Sequence, residues 1–210
     1  MSHYIKNLIR EGEHQQLDFK FEITDSRKIA RTLVAFANTD GGKLLIGVKD
    51  NGSVAGVRSD EEYYMVEAAA HMYCKPEVGF TTKEWKIDGK TVMEVTIPKS
   101  DLRPHSAPYK NGKYKVYIRV RDKNLLANSI LLKVWEREKN KKGVLVRYRK
   151  EEEFLLKYLE ENEHITFSGF CKKGGTSRYK AKNILVNFIL LGIIEVIFTE
   201  KQTYYKLTKN

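Results

Sequence analysis

The 210-residue chain is 41% hydrophobic and 31% charged, carries a formal net charge of +11, and contains four prolines and two cysteines. This composition is typical of a globular protein with a packed core, and it excludes a disordered chain and a disulfide scaffold. The longest apolar segment, 184–198, is interrupted by polar residues and is shorter than the ~20 residues that cross a bilayer. Since residues 1–10 also lack the apolar core of a signal peptide, we expect a cytoplasmic protein with no membrane partner.

The first part of the chain predicts helices that alternate with strands. Asp25 and Ser26 are suited to cap a helix, Gly41-Gly42 to end it, and Asp88-Gly89 to form a hairpin turn. This order of elements predicts an α/β (α+β) domain with a mixed sheet over residues 1–136. The predicted helices span 4–10, 27–37 and 60–73, and the predicted strands span 16–21, 43–49, 53–57, 78–87, 91–98 and 115–121.

The end of the chain has a different order of elements. It predicts a helix at 151–162, a short second element at 165–173, a third helix at 177–191, and two strands at 193–198 and 203–207. This is the order of a winged helix, a variant of the helix-turn-helix plan. We therefore expect a winged-helix domain at 151–210, joined to the first domain by a basic linker at 137–150.

Positive charge is concentrated in that linker. Residues 137–150 contain seven Lys or Arg and one Glu, whereas residues 151–210 contain nine Lys or Arg and eight acids. Such a cluster is typical of a segment that binds a polyanion, either nucleic acid or an anionic membrane surface, although a solvated linker has the same composition. The candidate contacts for nucleic acid in the linker are Lys141, Lys142, Arg147 and Arg149.

The predicted third helix separates apolar from polar residues. At helical spacing the apolar residues fall on one arc, and Tyr179, Asn183 and Asn187 fall on the opposite arc. Lysines and arginines beside that arc can bind phosphates, and the amide of Asn183 can read base edges. A winged helix that makes only protein contacts, with its charges solvated, is the alternative. The candidate phosphate contacts are Lys172, Lys173, Arg178, Lys180 and Lys182.

Residues 32–52, TLVAFANTDGGKLLIGVKDNG, combine a helix end, paired glycines and an apolar strand. Gly42 and Gly47 have the spacing of a P-loop, but Val48-Lys49-Asp50 follows where that motif needs Lys and then Ser or Thr. A P-loop also places its glycines after a strand and before a helix, which is the reverse of the order here. The glycines therefore predict a tight turn into the core and not an ATP site.

The motifs of the first domain resemble those of the Schlafen-type AlbA-like domain. They are Glu13-x4-Asp18-Phe19-Lys20, the run 35–42 (AFANTDGG), the run 45–52 (LIGVKDNG) with Gly56-Val57 after it, and the run 117–120 (YIRV). The resemblance covers about residues 10–135. It implies a nucleic-acid-binding domain. The same type of domain was once mislabelled a divergent AAA ATPase. The tail resembles the winged helix that follows this domain in bacterial RecG-like or transcriptional-regulator-like proteins.

The resemblance also implies a set of site residues. In animal Schlafen ribonucleases, two acids of an E-x4-E-F-K motif and the aspartate of Gly-Val-x-Asp form a metal-dependent site, and the matching residues here are Glu13, Asp18 and Asp50. Such carboxylates hold Mg²⁺ or Mn²⁺, which would activate water if the chain is a nuclease. Asp18 stands where glutamate is usual and is one methylene shorter. The animal enzymes use two copies of the domain, so a homodimer could replace the second copy, or the activity could be absent.

The residues themselves leave ordinary roles open for these acids. Asp50 precedes Asn-Gly and suits a turn, and Asp18 could pair with Lys20 or Arg119. Lys20 lies two residues after Asp18 on the same face of the strand, where it could contact a phosphate. The candidates for nucleic-acid contact in the first domain are Lys20, Arg119 and Arg121.

Together these patterns predict a nucleic-acid-binding protein, with DNA ahead of RNA as the partner, that acts as a transcriptional regulator without catalysis. A metal-dependent endoribonuclease that uses Glu13, Asp18 and Asp50 is the second hypothesis. An interaction scaffold is the third.

Overall fold

The computed structural model describes residues 2–140 and 148–209. The chain divides into two compact units, Met1–Ala127 and Asn128–Asn210. The division falls before the helix Ser129–Asn140, which the sequence analysis splits between the first domain and the linker. No helix in the described part of the chain is long and apolar enough to cross a bilayer.

The first unit is built on a four-stranded mixed sheet, as predicted. Its strands are β1 (Leu17–Lys20), β2 (Gly42–Ile46), β3 (Thr81–Ile87) and β4 (Lys90–Ile97), in the order β1-β2-β4-β3. β1 and β2 are parallel, and the other neighbouring pairs are antiparallel. The hairpin predicted around Asp88-Gly89 is confirmed, since β3 and β4 pair on either side of these residues.

Helices cover both faces of this sheet. They are α1 (Ser2–Glu11), α2 (Ser26–Asn38) and α3 (Glu61–Met72). Successive strand residues point to opposite faces, so Leu44 of β2 packs in the core with α2 and α3, whereas Leu45 packs in a second core with α1. Asp25 starts α2, because its side chain accepts a hydrogen bond from the backbone amide of Arg27.

A second, three-stranded sheet packs on α2. It consists of β5 (Ser106–Pro108), β6 (Tyr114–Val120) and β7 (Lys123–Leu126), with β6 in the middle. Of these strands only β6 is predicted from the sequence, because β5 and β7 are too short to show a clear alternation. The side-chain amide of Asn38 donates to the carbonyls of His105 and Tyr117 at 2.9 and 2.8 Å, which ties the end of α2 to this sheet.

The described part of the second unit contains four helices and a small sheet. Its elements are α4 (Ser129–Asn140), α5 (Lys150–Glu161), β8 (Ile165–Thr166), α6 (Phe167–Lys173), α7 (Arg178–Leu190), β9 (Ile194–Phe198) and β10 (Thr203–Leu207). The strand order is β8-β10-β9. Thr166 and Ser177 cap α6 and α7 through their side-chain oxygens. Helix α4 is not among the elements predicted from the sequence, and it belongs to this unit because it packs on α7.

Gly47 follows β2 and allows two backbone segments to meet. Its φ angle is +90°, a left-handed conformation that side chains disfavour. Its amide donates to the carbonyl of Lys20 at 2.8 Å, and its carbonyl accepts from the amides of Ala55 and Gly56 at 2.8 and 2.9 Å. A Cβ atom on Gly47 would lie 2.8 Å from backbone atoms of Gly56 and Val57. This position therefore requires glycine for two separate reasons.

We expect Gly47→Ala to lower the free energy of unfolding by roughly 3 kcal/mol or more, because it adds backbone overlap to left-handed strain. Gly89→Ala is the matched control, since Gly89 has a φ of +80° but nothing lies within 4 Å of a Cβ atom there. That change should cost about 1 kcal/mol. Urea unfolding followed by circular dichroism measures both losses, and equal losses would contradict the close-approach explanation.

Candidate functional site

Glu13, Asp18, Lys20 and Arg119 form a carboxylate–cation cluster beside β1 of the first unit. Asp18 lies on β1, and its side chain is 5% exposed. Its Oδ1 atom accepts a hydrogen bond from Nη2 of Arg119 at 3.2 Å, and its Oδ2 atom is 3.0 Å from Nζ of Lys20. Both oxygens of this carboxylate are therefore paired with cations of the same chain.

Glu13 and Asp18 titrate differently because their surroundings differ. Burial and the hydrogen bond with Asp18 raise the pKa of Glu13 to about 7, although the amide of Phe19 donates to its Oε1 atom at 2.8 Å. Burial by itself would raise the pKa of Asp18, but the hydrogen bond from Glu13 and the charges of Lys20 and Arg119 lower it. Near neutral pH, Asp18 is thus ionised, while Glu13 is protonated in a large share of molecules.

Arg119 is a buried structural residue. Its side chain is 1% exposed and lies 5.0 Å from the centre of the Phe36 ring. Its guanidinium donates to the carbonyls of His14 and Leu17 and to Oδ1 of Asn124, at distances between 3.1 and 3.4 Å. This position does not permit the predicted contact between Arg119 and a nucleic acid, because protein acceptors enclose the guanidinium.

The three carboxylates expected to hold a divalent metal are not grouped as a metal site among the residues that the structure describes. Asp50 is exposed in the turn that follows β2. Within the described part of the chain, no group of three or more His, Cys, Asp or Glu side chains could hold a metal ion. The cationic groups of Lys20 and Arg119 occupy the oxygens of Asp18, so Mg²⁺ or Mn²⁺ would have to displace them. The three-carboxylate site stays a prediction.

Lys20 and Arg121 are the predicted contacts of the first unit that reach the surface. The side chain of Lys20 is 35% exposed, and its Nζ atom also donates to the carbonyl of Phe19 at 2.6 Å. Arg121 is exposed in the turn between β6 and β7, with a φ of 56°. Its backbone amide donates to Oε1 of Gln15 at 2.8 Å, so the turn is held while the residue faces solvent.

The second unit exposes cations at the turn between α6 and α7. Lys172, Lys173, Arg178 and Lys180 are exposed, and Lys182 is half-buried. We call these five residues the α6–α7 cationic surface. Among the residues that the structure describes, Lys172 and Lys182 have no carboxylate partner within ion-pair distance. The surface therefore presents positive charge that its described neighbours do not fully neutralise.

Three members of this surface already have neighbours in the second unit. The Nζ atom of Lys180 is 3.2 Å from Oε1 of Glu151. The Nζ atom of Lys173 donates to a tyrosine hydroxyl at 2.7 Å, and the guanidinium of Arg178 lies 4.9 Å from the centre of the Phe167 ring. Exposed ion pairs are weak, so these contacts leave the cations available to phosphates.

The polar arc of α7 is engaged with α4. Lys133 donates a hydrogen bond to Oδ1 of Asn183 at 2.7 Å, and Arg137 donates one to Oδ1 of Asn187. The ammonium of Lys133 also lies 5.7 Å from the centre of the Tyr179 ring. The oxygen of the predicted base-reading amide, Oδ1 of Asn183, is thus occupied by a lysine of the same unit in this structure.

The structure describes one of the four predicted linker contacts. Arg149 is exposed and stands directly before α5. Lys141, Lys142 and Arg147 lie outside the described residues. Their contact with nucleic acid stays a prediction.

The family comparison covers the first unit. The Schlafen, AlbA_2 family matches residues 13–128, which is more than half of the chain. The chain belongs to the Schlafen AlbA_2 family. The matched segment includes the carboxylate–cation cluster and Asp50, and it ends where the second unit begins. No curated protein matches the chain.

Two solved structures are similar to this Schlafen AlbA_2 chain. The DIP2311 protein of Corynebacterium diphtheriae is 18% identical with a TM-score of 0.47, and the match covers 59% of this chain and 27% of that one. The N-terminal domain of a RecG-related protein of Nitrosomonas europaea is 20% identical with a TM-score of 0.38, and the match covers 59% of this chain and 94% of that one. At these scores neither likeness bears on function.

The sequence patterns of this Schlafen AlbA_2 chain do not indicate Lys133 and Arg137, which bind the amides of α7. The spacing of Ile130, Val134 and Trp135, all buried, could have revealed α4. Residues three or four positions apart share one face of a helix. The domain boundary predicted at residue 136 divides this run between the end of a domain and the start of a charged linker, and so it also divides the apolar stripe.

We expect the carboxyl group of Glu13 to titrate with a midpoint of about 7 in the folded protein, against an ordinary value of 4.5. Asp18→Asn should lower this midpoint, because it removes the charge that holds the Glu13 proton. Since the folded pKa lies above the unfolded one, the contribution of Glu13 to the free energy of unfolding is present below about pH 4.5 and is lost as the pH rises through about 7.

Carbon-13 NMR of the Glu13 side-chain carboxyl carbon measures this midpoint. A Glu13 midpoint close to 4.5 in the unmodified chain would contradict the proton sharing with Asp18.

Proposed function

We propose that this Schlafen AlbA_2 protein binds nucleic acid, DNA ahead of RNA, and serves as a transcriptional regulator without catalysis. The observation that supports this best is the α6–α7 cationic surface, because residues 172–182 contain five cations and no acid. Exposed ammonium and guanidinium groups bind phosphate oxygens and so position a protein on a nucleic acid. The charges of the carboxylate–cation cluster, by contrast, are largely used within the fold.

The proposal includes a winged helix in the second unit. The order α5, β8, α6, α7, β9, β10 and the sheet order β8-β10-β9 support it. In a helix-turn-helix protein the second helix of the motif lies in the major groove and its N-terminal residues reach the DNA. Here α7 would be that helix, and Arg178, Lys180 and Lys182 lie in its N-terminal half.

Phosphate contacts, not base contacts, carry the affinity in this proposal. Asn183 and Asn187 accept hydrogen bonds from Lys133 and Arg137, so their amide oxygens are not available to bases while α4 stays in place. Tyr179 is 74% exposed and could contact a sugar or a base edge. We therefore expect binding that depends strongly on salt and weakly on sequence.

We expect the double variant Lys180→Glu, Lys182→Glu to abolish binding of duplex DNA at moderate salt, a loss of about 100-fold or more, because two phosphate contacts become repulsive. The dependence of affinity on salt should also become shallower, by about 2 in the slope. Fluorescence anisotropy with a labelled duplex at several salt concentrations measures both quantities.

Lys110→Glu with Lys113→Glu is the matched control for this pair. Both lysines are exposed in the first unit, and the two double variants change the net charge equally. The control should keep most of the affinity. Equal losses in the two variants, or unchanged affinity of the α7 variant, would overturn the α6–α7 cationic surface as the binding site.

The nuclease hypothesis is tested on the same protein. Because Asp18 is paired with Lys20 and Arg119, we expect no cleavage of labelled tRNA or duplex DNA with or without Mn²⁺. Metal-dependent cleavage that Asp50→Ala removes would replace the proposal of binding without catalysis. Light scattering measures whether the homodimer that the enzyme hypothesis invokes is formed.

A further inference from the structure

An open cavity lies on the α1 side of the four-stranded sheet. α1 packs on one part of this face, where Leu45 and Val92 form the second core. Next to that core, a cavity of about 500 Å³ remains open. We name it the Glu94 pocket, and the residues that line it include Tyr4, Lys43, Lys83, Trp85, Glu94 and Thr96.

The strand register explains why these side chains meet. Lys43 of β2 is opposite Thr96 of β4, and Lys83 of β3 is opposite Glu94 of β4. Residues directly opposite in antiparallel strands project from the same face of the sheet. Three adjacent strands therefore contribute to one polar surface.

A buried carboxylate organises the pocket. Glu94 is 4% exposed, its Oε1 atom accepts hydrogen bonds from the hydroxyl of Tyr4 at 2.8 Å and from Lys43, and its Oε2 atom accepts one from the indole of Trp85 at 2.7 Å. Burial would raise the pKa of Glu94, but the hydrogen bonds from Lys43, Tyr4 and Trp85 lower it, so the group is ionised at neutral pH. Both oxygens have partners, and Glu94 is thus a positioning residue for three side chains.

The side chains around Glu94 offer aromatic surface and positive charge. The rings of Tyr4 and Trp85 are 5.0 Å apart, and Tyr4 is 39% exposed. The Nζ atom of Lys83 lies 4.2 Å from the centre of the Trp85 ring, and in the described part of the chain it has no carboxylate partner. Because Lys43 balances the charge of Glu94, the ammonium of Lys83 leaves the pocket with a net positive charge.

We propose that the Glu94 pocket binds one nucleotide of a single-stranded nucleic acid, with the base against Trp85 and Tyr4 and the phosphate against Lys83 and Lys43. Aromatic rings next to lysines are the combination with which proteins hold single strands, since every base has a face that stacks and every nucleotide carries a phosphate. The phosphate draws Lys83 away from the indole, which uncovers the ring for the base. A duplex does not fit, because its bases are stacked on each other and paired.

This site is separate from the α6–α7 cationic surface and does not rest on the proposed function. Its residues all belong to the first unit. The Glu94 pocket would bind a single strand and contact its base, whereas the α6–α7 cationic surface would bind a duplex and contact its phosphates. The two proposals can therefore fail independently.

The first test uses fluorescence of the full-length chain. The chain contains two tryptophans, so Trp135→Phe leaves Trp85 as the reporter. A ten-nucleotide oligothymidylate is expected to quench this fluorescence with saturation, because a stacked base quenches indole. Inorganic pyrophosphate, which has no base, is expected not to quench it. No quenching by the oligonucleotide, or the same quenching by pyrophosphate, would overturn the proposal.

The second test compares two charge reversals on β3. Lys83→Glu is expected to weaken binding of the oligothymidylate about tenfold, because it removes a phosphate contact and adds repulsion. Lys86→Glu changes the net charge equally, but Lys86 is opposite Thr91 and lies on the other face of the strand, so it should change the affinity little. Both lysines are exposed, and these variants should fold. Equal weakening by the two changes would overturn the assignment.

A third variant separates this site from the proposed function. The Lys180→Glu, Lys182→Glu protein is expected to keep the quenching of Trp85 by oligothymidylate. If duplex binding fails in the unmodified chain while quenching persists, only the proposed function is lost. If quenching is lost in the Lys180→Glu, Lys182→Glu protein, the Glu94 pocket is not an independent site and the proposal fails.

Discussion

The buried ion pair between Asp18 and Arg119 is the interaction on which the first unit depends. It joins β1 of the four-stranded sheet to β6 of the three-stranded sheet, and the same guanidinium binds the carbonyls of His14 and Leu17. Removing one partner of a buried pair costs about 3–5 kcal/mol, because the other charge stays buried without compensation. Asp18 of the acidic motif therefore has a structural role in this Schlafen AlbA_2 chain.

Buried carboxylates serve as organisers at two places in the first unit. Asp18 holds Arg119 and Lys20, and Glu94 holds Tyr4, Lys43 and Trp85. In both cases the oxygens accept hydrogen bonds from neighbouring side chains, which keeps the charge tolerable in a poorly solvated position. The surface side chains beside these carboxylates are accessible to a ligand, and the carboxylates themselves are not.

The second unit shows the same distinction between charges that are used internally and charges that face solvent. Lys133 and Arg137 of α4 bind the amides on one arc of α7, whereas the α6–α7 cationic surface lies at the preceding turn and in the first half of α7. A helix that is amphipathic by its sequence can thus have its polar arc covered by a further helix. The residues for which the sequence predicts phosphate binding and base reading lie on differently exposed parts of α7.

The sequence by itself determined the local elements of this protein. The cap at Asp25, the Asp88-Gly89 turn and the apolar spacing of α7 act over a few residues, so these helices and the hairpin could be predicted from them. Only the tertiary structure decided which charged side chains are accessible to a ligand and which are paired within the fold. Asp18 and Arg119 are 101 positions apart, and Lys133 and Asn183 are 50 positions apart. Whether such residues meet depends on how sheets and helices pack, and no local spacing contains that information.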